Sequence, residues 1–569
     1  MTEFFLVLAL AILLGWPLGR YLSAVMRGTP MPGDRLFNRI ERPLYRLMGT
    51  HPRAGMSWRG YAGAFLLSNL VLAAFVWLVL VTQAWLPFNP DAVPNMRWDL
   101  ALHTMVSFLT NTNQQHYAGQ AQLSYFAHMT AIVALQVITP MMGLALVVAT
   151  LRTLCNGRGP LPAQEDKAPG TAVDVGNYWV DVLRPTLRVM LPLCLLWSVL
   201  LTSQGVPATL AGGPVVAPVD VSVAMTEQKI PLGPVAPMVA IKQLGTNGGG
   251  WYGPNSATPL ENPTPLSNLL ETLGLILLPV SVIFMIAGLT GRRRFAALVF
   301  GTMLTMSVAS GAFAIWSEGS SSTAQDIALM EGKEVRFGAA ASALWSALTT
   351  QTSNGSVNAM LDSAAPLTGL ATMANMLINA IWGGIGSGLQ QFLVYLMLAV
   401  FLAGLMTGRT PELFGRKIEA PEVKLLALLV LLQPLVVLGF TAITLGLPSL
   451  AGTSNPGVHA ISQVFYEYAS AFANNGSGLE GLGDNSVWWN TTCSIALVAG
   501  RYPALIVPLL IAAMLARKRP APEDSGSLQI ETPTFACVLI AVILILTLLQ
   551  FLPVLVLGPV ADHLTLIAH

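Results

Sequence analysis

GTNGGGWYGPNS, residues 245–256, sets three consecutive glycines and a run of small polar groups inside a chain that is otherwise mostly apolar. Glycine runs do not hold a regular helix, because Gly gives up more backbone freedom on ordering than any other residue. Small polar groups left unpaired in hydrocarbon cost several kcal/mol each. The stretch is therefore either an ordinary loop or irregular backbone enclosed by protein, and the rest of the chain has to decide which.

Of the 569 residues, 54% are hydrophobic and only 10% charged, against roughly 25% charged in soluble domains. Ten mostly apolar stretches recur, near 4–26, 60–87, 126–151, 183–205, 266–291, 295–317, 367–408, 423–446, 490–516 and 532–556. About 20 such residues span a hydrocarbon core about 30 Å thick. The seventh stretch is long and interrupted by glycines. The expectation is a polytopic, all-α membrane protein. Basic residues follow the first, third, fifth, seventh and ninth stretches (Arg27 to Arg59, Arg152 to Arg188, Arg292 to Arg294, Arg409 to Lys424, Arg517 to Arg519), whereas MTE before the first carries none. Lys and Arg stay cytoplasmic, so both termini are predicted outside. With no basic leader or cleavage site beside it, the first stretch is predicted to be a retained helix. The segments 160–170 and 520–533 are predicted to be inner connectors.

The net charge of +1 gives no reason to expect nucleic acid as a partner. Cys155, Cys194, Cys493 and Cys537 stand singly, which predicts neither a disulfide framework nor a metal site. His116 has no sequence neighbour with which to bind metal and is expected as a loop imidazole at the outer mouth. Trp58, Trp85, Trp316, Trp488 and Trp489 fit an interfacial aromatic belt.

Four outer segments repeat one order: a short apolar helix-compatible stretch, a cluster of Asn, Gly, Thr and Ser, then a full span. They are LALHTMVSFLTNTNQQ (100–115), PMVAIKQLGTNGGG (237–250), SALWSALTTQTSNGS (342–356) and ISQVFYEYASAFANNGS (461–477). Alignment on asparagine pairs Thr110-Asn111-Thr112 with Thr246-Asn247-Gly248, Ser353-Asn354-Gly355 and Asn474-Asn475-Gly476. One cluster alone would be a loop. Four at equivalent positions predict re-entrant half-helices with their negative ends toward the membrane centre, followed by extended segments whose carbonyls turn to one axis. Such a cage replaces the hydration shell of a monovalent cation, most naturally K⁺. The candidate filter is Thr110, Asn111, Thr112, Asn113, Thr246, Asn247, Gly248, Gly249, Ser353, Asn354, Gly355, Ser356, Asn474, Asn475, Gly476 and Ser477. The units expected are a first span with its basic loop (1–59), repeats at 60–177, 178–294, 295–417 and 418–519, and a last span (520–569).

Arg501 falls within the ninth span, where a charge marks function by default. It is expected beneath the filter, holding K⁺ back by repulsion or pairing with a helix end, the alternative being a structural ion pair. Gly383, Gly384, Gly386 and Gly388 break the seventh span without any βαβ context for a dinucleotide. An intramembrane loop obstructing the inward path is expected there.

GTNGGGWYGPNSATPLENPTPLSN (245–268) resembles the signature stretch of the KdpA family, the potassium-binding subunits of bacterial Kdp pumps. SFLTNTN (107–113), MEGKEVRFG (330–338), GGIGSGL (383–389), AGLMTGRTPE (403–412), ANNGS (473–477) and GRYP (500–503) agree with it. The resemblance implies a member of the superfamily of K⁺ transporters, with four pseudosymmetric repeats around a central filter and one extra helix at each end. It further implies a subunit of the bacterial inner membrane, in complex with the P-type ATPase chain KdpB and the small subunits KdpC and KdpF. There it would select outside K⁺ and pass it through an intersubunit tunnel, with K⁺ as the transported ion and no organic cofactor. Consistent with a non-catalytic role, the chain holds no D-K-T-G-T motif and no G-x-x-x-x-G-K-[ST] loop. Three departures stand out. Gln114, Gln115 and His116 follow TNTN where the family often has an aromatic, with Gln115 at the position that influences K⁺ affinity. TSNG replaces SCG, and Asn379 stands where many members carry Glu. The alternative is a stand-alone Trk/Ktr/HKT-like transporter; an intramembrane hydrolase would need a nucleophile–base pair that the spans lack.

Overall fold

A computed structural model describes residues 2–155, 173–220, 225–320, 330–521 and 528–567. The predicted connector at 160–170 lies outside the described residues, as do residues 522–527 of the one at 520–533.

Among the described residues, ten helices are long and apolar enough to cross a membrane: Thr2–Arg27, Trp58–Trp85, Tyr125–Leu154, Tyr178–Ser203, Pro265–Thr290, Arg293–Ser320, Ser387–Thr407, Ala420–Gly446, Val487–Ala516 and Pro533–Leu566. They are numbered here as spans 1 to 10. The helix Pro366–Ile378 precedes span 7 and stops at Asn379, so the predicted interruption is a real break. Helix starts are set by side chains that accept otherwise orphaned backbone N–H groups: Ser57 for span 2, Asn177 for span 4, Thr264 for span 5, Ser486 for span 9 and Thr532 for span 10. Four of the short helices between the spans, Trp98–Leu109, Val235–Leu244, Ala339–Gln351 and Val458–Ala473, are numbered half-helices 1 to 4.

Spans 3 and 5 form the interior, with 83% and 78% of their apolar stretch buried, while span 8 buries only 22%. An apolar helix that leaves most of its surface uncovered needs lipid or a partner chain around it. Span 1 packs along span 5 through small residues: an added Cβ at Gly19 would lie 2.5 Å from the Ser281 carbonyl.

Three expectations require correction. The basic stretch after span 1 is not all loop, because Asp34–Leu47 forms an amphipathic helix. Its Asp34 and Glu41 grip the Arg188 guanidinium at 2.5 Å each. Arg184 and Arg188 accordingly sit within the first turns of span 4 and not in the connector ahead of it. Trp489 is not interfacial; it is buried, stacks on Tyr468 at 4.9 Å and donates Nε1–H to the Ala451 carbonyl.

At the start of half-helix 4, His459 lies between Asp362 and Asp562, each 2.8 Å away, and so ties this helix to the end of span 10. The bonds to Asp362 and then Asp562 outweigh desolvation and push the imidazole pKa from 6.5 up to about 9. A folded-state pKa above the unfolded one contributes stability that is complete below the unfolded pKa and is lost as pH rises through the folded one. The thermal midpoint is therefore expected to fall as pH rises from about 7 to 10, and His459→Gln should flatten that part of the curve. A slope of equal size in the variant would remove His459 as its source.

Candidate functional site

The chain after each half-helix follows one pattern. The amide of Thr112 donates to the Ser107 carbonyl, Asn247 to Lys242, Asn354 to Thr349 and Asn475 to Ser470, at 2.9–3.1 Å. The residue before each of these has positive φ: Asn111 (64°), Thr246 (50°), Ser353 (51°) and Asn474 (55°). The residue after each has it as well: Asn113 (57°), Gly248 (66°), Gly355 (88°) and Gly476 (99°). The four loops thus share one backbone. It is not the plain extended run expected from sequence. Left-handed residues at alternate positions re-aim the peptide planes, which in an ordinary strand would point to opposite sides in turn.

This geometry also moves loop 1 by one residue. Asn111, not Thr110, occupies the place of Thr246, Ser353 and Asn474. Thr110 instead follows half-helix 1 as its cap, its hydroxyl 2.8 Å from that of Thr112 and 3.0 Å from the Ser107 carbonyl. The asparagine match misled because it set Asn111, which has positive φ, against Asn247, Asn354 and Asn475, which do not, whereas the shared feature is the left-handed backbone of Asn111, Thr246, Ser353 and Asn474.

Glycine is required where the loops touch. A Cβ on Gly248 would lie 2.1 Å from the Asn354 carbonyl oxygen, on Gly355 2.1 Å from that of Asn475, and on Gly476 2.2 Å from that of Thr112. Loops 2, 3 and 4 therefore each press their third residue against the second carbonyl of the next, and Asn113 Nδ2 of loop 1 donates to the Gly248 carbonyl (3.3 Å), which places loops 2, 3, 4 and 1 in circular order. Side-chain amides brace the same contacts: Asn354 Nδ2 donates to the Lys242 carbonyl (2.7 Å), Asn475 Nδ2 to Thr349 (2.9 Å) and Asn111 Nδ2 to Thr246 (3.2 Å). Asn247 Nδ2 donates to Asn111 Oδ1. All sixteen predicted residues are buried except Gly476, which is partly so.

Behind the loops lies polar support that sequence reasoning missed. Lys242, fully buried, donates to Asn255 Oδ1, Ser256 Oγ and Glu261, and Glu261 Oε1 accepts the Tyr252 amide at 2.9 Å. This folds GTNGGGWYGPNS back on its own half-helix. A buried charge pair is costly to break because it leaves one charge alone; the signal in the sequence was a lysine within an apolar half-helix. Gln115 joins loops 1 and 2, its Oε1 accepting from the Gly250 amide (2.7 Å) and its Nε2 donating to the Gly250 carbonyl (3.2 Å). His116 is not at an open mouth. It is buried against His103 with ring centroids 3.7 Å apart, near Glu467, and 2.7 Å from Asn490 Oδ1. Cys493 converges on the same place, within 4.8 Å of donor atoms on His116 and Glu467. Span 9 and half-helix 4 bring these residues together from positions that are distant in sequence.

Below the loops runs the break before span 7. Gly383 and Gly386 have φ of 62° and 85°. The Trp382 and Gly383 amides donate to the Gln351 carbonyl at 3.1 and 2.7 Å, and the Ile385 amide donates to Thr246 Oγ1 at 3.2 Å. Gly384 faces Thr246 and Ser353, while Gly388 backs onto Gly383. Asn379 accepts from Ser353 Oγ (2.7 Å) and donates to the Ala473 carbonyl (3.0 Å), joining loop 3 to half-helix 4. Arg501 is 3% exposed and has no ion pair among the described residues. Its Nη2 donates to the Thr139 carbonyl (3.4 Å), and Thr139 Oγ1 donates to Asn111 Oδ1 (2.9 Å). One residue thus separates the arginine from the filter loop. A Cβ on Gly143 would approach both Arg501 (3.2 Å) and the Ile385 carbonyl (2.6 Å), so the arginine and the broken segment share one small space.

The sequence profile described as KdpA, potassium-transporting ATPase A subunit, matches residues 5–564. The potassium-transporting ATPase potassium-binding subunit of Gloeobacter violaceus is 44% identical, covering 97% of this chain and 95% of its own length. That of Pseudomonas putida is 42% identical, covering 99% of each. Among solved structures, the potassium transporter TrkH from Vibrio parahaemolyticus aligns at a TM-score of 0.48 and 16% identity, covering 78% of this chain and 84% of its own.

Proposed function

We propose that this chain, which belongs to the KdpA family of potassium-transporting ATPase A subunits, binds and selects K⁺ from outside and passes it into the membrane complex of an ATP-driven uptake pump. The observation that carries the reading is the repeated loop backbone, held in a ring by three glycine-to-carbonyl contacts. It offers neutral carbonyl and hydroxyl oxygens on every side and no acidic group among the sixteen filter residues. Neutral dipoles suit a monovalent ion that must bind and leave. Four half-helix C-terminal ends, each worth roughly half a negative charge, offset the loss of hydration. The four repeats, with one added span at each end, would be the scaffold for this ring.

Beneath it, the broken segment and Arg501 would close the direct inward route. A small cavity of about 30 Å³ beside Asn379 is lined by Gln391, Gln433, Phe472, Gly500 and Pro503 as well. Its amide oxygens suit a partly dehydrated cation on the way to a neighbouring chain. That chain would be the P-type ATPase subunit KdpB, which would hydrolyse ATP, with KdpC and KdpF completing the complex in the bacterial inner membrane and both termini of this chain outside. The stand-alone Trk-like reading is less favoured, since the whole length follows relatives named as ATPase subunits.

A tagged copy purified gently from its native membrane is expected to bring down an ATP-hydrolysing chain whose turnover rises with K⁺. Purified chain that transports K⁺ in vesicles with no ATPase present would overturn the pump assignment.

A further inference from the structure

We propose that the groove between spans 1, 5 and 6 is a binding site for an anionic phospholipid of the leaflet on the basic side of the protein. The groove encloses about 690 Å³, within the 300–1,000 Å³ typical of ligand sites. Its walls divide by chemistry. Ile283, Phe284 and Phe300 form the apolar wall, Arg27 and Arg293 stand at the basic end, and Arg20 follows Gly19, which packs on Phe284. None of the three arginines has an ion pair with a described residue, although Arg20 lies over the Trp16 ring at 5.0 Å. Two donors there are orphaned: Ser23 Oγ, on a residue 1% exposed, and Arg27 Nε are both buried with no hydrogen-bond partner.

An orphaned buried donor is destabilising until something accepts from it. Water is scarce at a lipid-facing groove, so the acceptor should arrive with the membrane itself. A phosphodiester supplies acceptor oxygens for the guanidinium fork and the serine hydroxyl, and its acyl chains match the aliphatic and aromatic walls. Three uncompensated positive charges select a headgroup with net negative charge over a zwitterionic one. At the floor of the groove Gly288 lets span 5 approach span 1 closely: a Cβ there would lie 2.4 Å from Ser23 Oγ. This inference is independent of the ion path.

The test uses the intact complex, stripped of lipid in a neutral detergent and titrated with phosphatidylglycerol or phosphatidylcholine of identical chains, with bound lipid counted by native mass spectrometry. Wild type should hold phosphatidylglycerol at least about tenfold more tightly. Arg27→Gln combined with Arg293→Gln should abolish the preference, and so should Ala297→Trp, which fills the groove and leaves every arginine in place. Excess inorganic phosphate should not displace the lipid. Equal retention of the two lipids by wild type, an undiminished preference in both variants, displacement by phosphate alone, or a photocrosslinker at Phe284 that captures a protein segment in the intact complex would each overturn the assignment.

Discussion

A complex carrying Gly355→Ala is expected to need on the order of 100-fold more K⁺ for half-maximal ATP hydrolysis, or to lose K⁺ stimulation altogether. Residue 355 has φ of 88°, where a Cβ costs about 1–2 kcal/mol, and the added carbon would lie 2.1 Å from the Asn475 carbonyl oxygen. Ordinary carbon–oxygen contact needs about 1 Å more, so loops 3 and 4 must separate by that much. A displacement of this size in a preorganised site typically removes two decades of function, and here it would move an oxygen proposed to stand in for ion hydration. Gly248→Ala and Gly476→Ala should behave alike, because they make the equivalent contacts in the ring. Gly369→Ala is the control: it lies in the helix before span 7 with nothing near its Cβ position. K⁺ titration of ATP hydrolysis by purified complexes distinguishes the outcomes. Wild-type half-saturation in Gly355→Ala, with the complex intact, would show that the interlock does not order the ion's ligands.

Arg501→Gln is expected to open a passive K⁺ leak, two to three decades above wild type, in vesicles holding the complex without ATP. The basis is a buried guanidinium one residue removed from loop 1, with no carboxylate to neutralise it among the described residues. At an effective dielectric of about 20, a unit charge a few ångströms from an ion's path raises its energy by about 4 kcal/mol. Glutamine keeps a donor for the Thr139 carbonyl while removing the charge, so it separates repulsion from packing. Arg501→Lys should stay tight. If the glutamine variant is no leakier than wild type, Arg501 serves the structure alone and the inward seal belongs to the Gly383–Gly386 segment.

Much of this was legible in the sequence because hydrocarbon solvent leaves few choices. Apolar runs long enough to cross can only be helices, and the observed spans fall where hydropathy places them. A polar, glycine-rich cluster recurring after a short apolar stretch had to be enclosed, and all four clusters are. The break at Gly383 was visible because no helix tolerates GGIGSG.

Other features depended on contacts between distant segments. The one-residue shift of loop 1 is invisible to alignment, since what Asn111, Thr246, Ser353 and Asn474 share is a positive φ, which three different residue types express. His116 looked like a solitary loop residue, because His103, Glu467, Asn490 and Cys493 reach it from other elements.

What the amino-acid order determined alone was therefore the membrane class, the number of spans, the four half-helices and the residues at their tips, all consequences of local solvation and local backbone freedom. What only the tertiary structure decided was the register and circular order of the loops, the charge network behind them, and the position of Arg501 against Thr139. Those depend on backbone atoms from different repeats meeting at close range, and although Gly248, Gly355 and Gly476 record that something lies close, neither segment's sequence says which carbonyl it is.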